Sequence, residues 1–447
     1  MANKQSNHKF IQTIKNIWKV EDLRVRIGIT LLFVAIYRFG SQIVLPGIDT
    51  ARLLDTSKLS DQTEGGLMSL LDMFSGGAFS NASIFALGIM PYISASIVIQ
   101  LLGLAVPYFQ KLQREGESGR RKMNQYTRYL TLAILIPQAI AYLANLESQL
   151  AGTGVIKAET GVMFYATSTI ILAAGSMFIL WLGERITDKG IGNGVSLIIM
   201  IGIIARFPTA IVQEFTSRMT GAAGGGVVMF IVELVLLVVV ICGGVALLRG
   251  TRKIPVQYAK QATGGAAVSG ARQYLPLKVN AANVMPIIFA QALMFIPMLF
   301  VKVAPGFAAA FAYQGFWYNF TFAVLVIAFT YFYTAIVVNP AMMAEDMKRN
   351  GGFIPGVKPG KKTVEYIDTI MTRITLPGSF FLALVAIMPA LAMKFLNINQ
   401  EFAYFYGGTS LLIMVGVILD TLKQIESQLL MRRYDGLMKT GRIQGRN

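Results

Sequence analysis

The sequence predicts an all-α, polytopic membrane protein with ten spanning helices, and three observations carry that prediction. The 447 residues are 54% hydrophobic and only 14% charged, with a mean hydropathy of +0.57; a soluble chain carries about 25% charged residues. Apolar runs long enough to cross a hydrocarbon layer lie near 25–45, 81–105, 126–145, 161–182, 193–212, 226–248, 283–304, 317–338, 369–391 and 403–422. The cations alternate across those runs: 31 of the 40 lysines and arginines fall on one side and seven on the other, Arg38 and Arg128 making up the rest. By the positive-inside rule the rich side is cytoplasmic, which places both termini there.

Residues 1–24 hold Lys4, Lys9, Lys15, Lys19 and Arg24, with Phe10, Ile14, Ile17 and Trp18 at helical spacing between them. This reads as an amphipathic helix on the cytoplasmic surface, with a plain basic tail as the alternative. No cleavable signal peptide is visible. The half 25–212 then carries helices one to five. Arg38 falls roughly 18 Å along the first of them, so it needs a hydrated or polar surrounding. The apolar piece from Gly65 to Phe74 is too short to span and belongs at an interface or tucked into protein. After Gly76 and Gly77 comes the run that organises the chain, interrupted by Gly88, Pro91, Ser94, Ser96 and Gln100. A helix facing only lipid gains nothing from such residues, whereas one facing a cavity or another helix uses them. Ile89 and Ile93, four apart, share a face.

The half 213–422 carries helices six to ten and two long basic loops, 249–280 and 339–368, rich in glycine and proline. These suit either a shaped docking surface or a solvated tether. Residues 423–447 form a basic cytoplasmic tail. Five helices per half is an odd number, so the halves insert in opposite senses, as inverted repeats do.

Composition also excludes chemistry. Cys242 is the one cysteine and His8 the one histidine, so there is no intramolecular disulfide, no cysteine metal cluster and no HExxH protease. No cofactor is called for. Gly190 to Gly194 lacks the strand and third glycine of a dinucleotide loop, and Gly360-Lys361-Lys362-Thr363 lacks the spacing of a phosphate loop. Glu233 is the one good acid at membrane depth, which leaves open a proton-coupled transporter for a small solute. An intramembrane enzyme is a third class, disfavoured by the missing histidine and paired acids.

Several long motifs identify a relative. Residues 80–96 (SNASIFALGIMPYISAS), 115–122 (EGESGRRK), 190–194 (GIGNG), 275–280 (LPLKVN), Asn339-Pro340 and 406–413 (YGGTSLLI) resemble, in order, the SecY family of protein-conducting channels. The resemblance runs from about residue 20 to 435. It implies two halves of five helices around a central hourglass pore, with no enzymatic activity. The pore would be sealed by a ring of Ile89, Ile93, Val195, Ile199, Ile288 and Ile413, residues that by themselves also suit core or a lipid-facing surface.

A plug over 65–79 would include Leu67, Met68, Leu70, Leu71, Met73 and Phe74, with its glycines as hinges. A lateral gate would include Gln100, Asn280 and Asn283. The basic loops would bind partners through Arg252, Lys253, Lys260, Lys348, Arg349 and Lys358. Implied partners are the SecE and SecG subunits, the SecA motor ATPase, the ribosome, signal sequences and unfolded clients, all at an inner membrane. Three departures stand out. Lys358 replaces the arginine of a Gly-x-Arg-Pro-Gly motif, a change that loses a bidentate donor. The 264–268 tip is Gly-Gly-Ala-Ala-Val, where relatives often carry adjacent arginines. Val195 stands where isoleucine is common.

Overall fold

The computed structural model describes residues 20–49, 72, 74–150, 161–220, 225–258, 273–294 and 315–439. The chain divides into two compact units, Met1–Pro208 with Val417–Asn447, and Thr209–Gly416. Seven described helices are long and apolar enough to cross a membrane, or eight if a pair bent by 100° counts as one broken span.

In the first unit, α1 (Glu21–Gly40) packs on α5 (Val162–Lys189), while α2 (Met90–Ala105) and α5 both pack on α4 (Glu117–Leu150). The bent pair is α2 with α3 (Pro107–Arg114). The expected second span loses its first nine residues: 81–89 are turns and α2 begins at Met90. The cause is local. Pro91 suits the first turn of a helix because its missing N–H would be unbonded there anyway, and Gly88 sits at φ +53, outside the helical region. The stretch before it pairs instead with the segment that follows α1: Leu45 N–H donates to the Ala82 carbonyl (2.9 Å) and Ile84 N–H to that of Ile43 (2.9 Å). Leu45, Ala82, Ala86, Tyr142, Leu143 and Phe164 bury together beneath this pairing, as apolar area leaving water favours. The unit also holds α6 (Gly194–Met219) up to Pro208, and α12 (Gly408–Lys439) from Val417 onward.

In the second unit, α11 (Lys361–Leu396) packs on α7 (Gly226–Arg249) and on α9 (Phe316–Val337), and α9 packs on α8 (Met285–Met294). The expected seventh span, 283–304, lies among the described residues only to Met294. Both long loops contribute strands among their described residues. β1 (Thr251–Tyr258) and β2 (Gln273–Lys278) form an antiparallel hairpin, and β3 (Gly352–Phe353), from the second loop, adds to β1. From Lys253 onward side chains alternate across β1: Ile254 and Val256 are buried, while Lys253, Pro255 and Gln257 are exposed. The buried face meets Leu277, Ile354, Ile367 and Met371 in a small core. Helix α10 (Pro340–Arg349) is started by Asn339, whose Oδ1 accepts from the N–H groups of Ala341 (3.1 Å) and Met342 (3.2 Å), satisfying donors that a helix start leaves open.

Ile254 is 2% exposed, so Ile254→Ala should cost about 2–4 kcal/mol of local stability. Limited proteolysis of the detergent-purified chain is expected to cut within 251–278 faster in the variant. Unchanged cutting would mean the sheet does not depend on this core.

Candidate functional site

The candidate site is built from the turns that precede α2. Asp72 organises them. Its carbonyl accepts from the N–H of Gly77 (3.0 Å) and the Ser75 hydroxyl (3.0 Å), and its Oδ1 accepts from the Ser80 N–H (2.8 Å). Gly76 and Gly77 follow at φ +66 and +90, a region open to glycine because it lacks a Cβ. The turn is then tied to the helices around it. Tyr37 Oη donates to the Ser75 carbonyl (3.1 Å), Arg38 Nη1 to that of Gly76 (3.0 Å) and Tyr142 Oη to that of Phe79 (2.8 Å). Arg206 of α6 ion-pairs with Asp72 and also donates to Ser80 Oγ (2.8 Å). Arg38 therefore has the polar neighbour that its depth demands.

Beneath the turn lies a cavity of about 10 Å³, room for about one water molecule. Its wall is largely apolar: Phe74, Leu87, Ile89, Ile93 and Ile199, with Tyr37 at its side. Three of the four ring residues expected in this unit thus line one cavity. Val195 is not among its lining residues; it is half-buried one turn before Ile199 and lies against Gly183 of α5. Ile288 and Ile413 are half-buried in the second unit. Of the expected plug residues, Phe74 lines the cavity, while Leu67, Met68, Leu70, Leu71 and Met73 lie outside the described residues.

The expected gate residues have local partners. Gln100 Nε2 donates to Ser96 Oγ of its own helix (3.4 Å), and the buried Asn280 donates to the Asn283 carbonyl (3.1 Å) in the turn entering α8. Among the loop cations, Arg252, Lys253, Lys348 and Lys358 are exposed; Arg349, also exposed, pairs with Glu345 (3.2 Å); Lys260 lies outside the described residues.

Two charge sites rest on Arg206 and Arg218, which belong to the seven cations of the poorer side in the sequence count. Both lie on α6, which runs to Met219. Arg218, 2% exposed, pairs with Glu233 and with Glu214 (3.0 Å), and also donates to the Leu396 carbonyl (2.6 Å). Glu214 Oε2 accepts from the Asn399 N–H (2.9 Å), and Tyr406 Oη donates to the Glu233 carbonyl (2.7 Å). The i, i+4 spacing of Glu214 and Arg218 was the readable signal. Glu233 is thus held in an ion-paired cluster, which suits a structural role better than proton transport.

A Cβ on Gly202 of α6 would stand 2.6 Å from the Phe74 carbonyl oxygen. Gly202→Val should therefore push the 72–77 turn off the cavity, at a cost of about 1–3 kcal/mol. We expect a raised resting ion flux in vesicles, and flux at the parent level would mean the turn does not help to close the path.

Fold and site together define a class: a multi-pass membrane protein of packed helices whose candidate site is a largely apolar cavity lined in part by a short turn. The SecY family profile matches residues 83–422. The chain is 41% identical over 436 residues to the protein translocase subunit SecY of Aquifex aeolicus, covering 95% of this chain and 99% of that one. Against the protein translocase subunit SecY of Halalkalibacterium halodurans it is 44% identical over 441 residues, covering 96% and 100%. A solved protein-conducting channel shares the fold at TM-score 0.61 and 16% identity, over 90% of this chain and 92% of that one. The chain belongs to the SecY family and is the pore-forming subunit of a protein translocase.

Proposed function

We propose that this chain passes unfolded secretory polypeptides across an inner membrane and releases apolar segments sideways into the bilayer. The observation that carries the reading is the apolar cavity lined by Ile89, Ile93, Ile199 and Phe74. A translocated chain presents every kind of side chain, so its path needs a lining that grips none of them. Aliphatic side chains offer no hydrogen bonds, and a narrow apolar constriction sheds water and so blocks ions when empty. The full ring adds Val195, Ile288 and Ile413, and the plug is the 65–79 segment. Ten spans in two inverted halves, both termini cytoplasmic, complete the architecture. A client segment of about twenty apolar residues prefers hydrocarbon once a gap opens, and Gln100, Asn280 and Asn283 lie on the elements that would part. The exposed Arg252, Lys253, Lys348, Arg349 and Lys358 suit docking of a SecA motor or of ribosomal RNA phosphates; SecE and SecG are the expected membrane partners. The chain itself carries out no chemical step.

Purified with its native membrane partners and reconstituted into vesicles with the motor and ATP, the chain should carry an unfolded secretory protein into a protease-protected lumen. A co-purifying small helical subunit is expected. Vesicles that protect no client, with motor and client shown to be active, would overturn the reading.

A further inference from the structure

We propose that Asp72 and Arg206 are the positioning residues that hold the plug shut, a clasp whose parting is the first step of opening. The inference rests on the plug reading above and goes beyond it by naming where the segment lets go. The two glycines at 76–77 look like a hinge in the sequence, but the structure packs them in place. A Cβ on Gly76 would stand 2.9 Å from the Gly202 Cα, and one on Gly77 would stand 3.3 Å from Arg206 Nε. Downstream, Tyr142 holds the Phe79 carbonyl and residues 82–84 pair with 43–45. The glycine turn is thus anchored on both sides.

The ion pair sits at the upstream edge of that anchored turn. One guanidinium meets Asp72 and the Ser80 hydroxyl, while the other Asp72 oxygen accepts from the Ser80 N–H. Both ends of the turn therefore close on a single residue of α6. The Arg206 and Asp72 side chains are 23% and 14% exposed, so water screens the pair less than it would a surface pair. Any movement that carries Asp72 away from α6 must separate these charges. Arg38 and Tyr37 bond to backbone carbonyls, which every side-chain variant keeps. Arg206 instead recognises the Asp72 side chain, and its contribution is therefore separable by mutation.

The test uses vesicles holding the complete translocase, with resting chloride flux and client passage read on the same preparation. Losing one charge-assisted contact should shift closed to open by roughly tenfold. Asp72→Asn and Arg206→Gln are each expected to raise resting flux by about that factor while client passage persists. The charge exchange, Asp72→Arg with Arg206→Asp, should bring flux back toward the parent. An exchange as leaky as the single variants, or single variants as tight as the parent, overturns the clasp; loss of client passage without a leak does so too. Removing residues 65–71 separates the two levels. If that deletion leaks and the single variants stay tight, the clasp alone is wrong; if the deletion does not leak, the plug reading itself has failed.

Discussion

A channel carrying Ile89→Ser and Ile199→Ser, with residues 65–74 removed, is expected to leak chloride and potassium at rest. Both isoleucines line the cavity under Phe74, and they are 5% and 9% exposed. Burying an aliphatic side chain of this size contributes about 1.5–3 kcal/mol relative to water, and a hydroxyl in its place offers water a partner. Two such changes lower the barrier to wetting by about 3 kcal/mol, which is on the order of a hundredfold in flux. The deletion matters because the turn above the cavity would otherwise mask the leak. Flux in vesicles holding the triply altered channel should exceed that of the deletion alone. If the two are equal, Ile89 and Ile199 do not form the seal.

Arg218→Met is expected to destabilise the protein more than any single change in the loops. It strips the cation from a cluster in which Glu214 and Glu233 are fully buried. Removing one partner of a buried pair costs about 3–5 kcal/mol because the remaining charge stays unsolvated, a large part of the 5–15 kcal/mol that a typical domain has. It also leaves the Leu396 carbonyl without its 2.6 Å donor. Thermal unfolding of the detergent-purified complex should show a clearly lower midpoint for Arg218→Met. Glu233→Gln should lower it less, since an amide can still accept from the guanidinium. A proton-coupled transporter would instead show Glu233→Gln fully folded but uncoupled. An unchanged midpoint for Arg218→Met would mean the cluster is hydrated in the membrane.

By itself the sequence determined the class, the rough places of the spans and the family. Those follow from one-dimensional quantities: apolar runs such as 226–248, which became α7 almost residue for residue, and motifs such as 80–96. Membrane helices are legible this way because each satisfies its own backbone hydrogen bonds and its length is set by the bilayer. Tertiary structure decided what depends on partners distant in sequence. Residues 81–89 had the composition of a span but took turns, because they pair with 43–45 and lead into a helix that starts at Met90, with Pro91 in its first turn. The basic loops carry Pro255 and Pro276 and suited a docking surface or a tether equally; their strands exist because Ile254 and Val256 can bury against Ile354 and Ile367, about a hundred residues away.

The same holds for the site. Ile89 and Ile93 were readable as one face from their spacing alone, but only packing brings Ile199 to the same cavity and turns Val195 toward Gly183. Arg206 and Arg218 looked like outer-loop cations in a count of charges. Their meaning came from Asp72, Glu214 and Glu233, and in a low-dielectric interior the position of the counter-charge decides what a charge does.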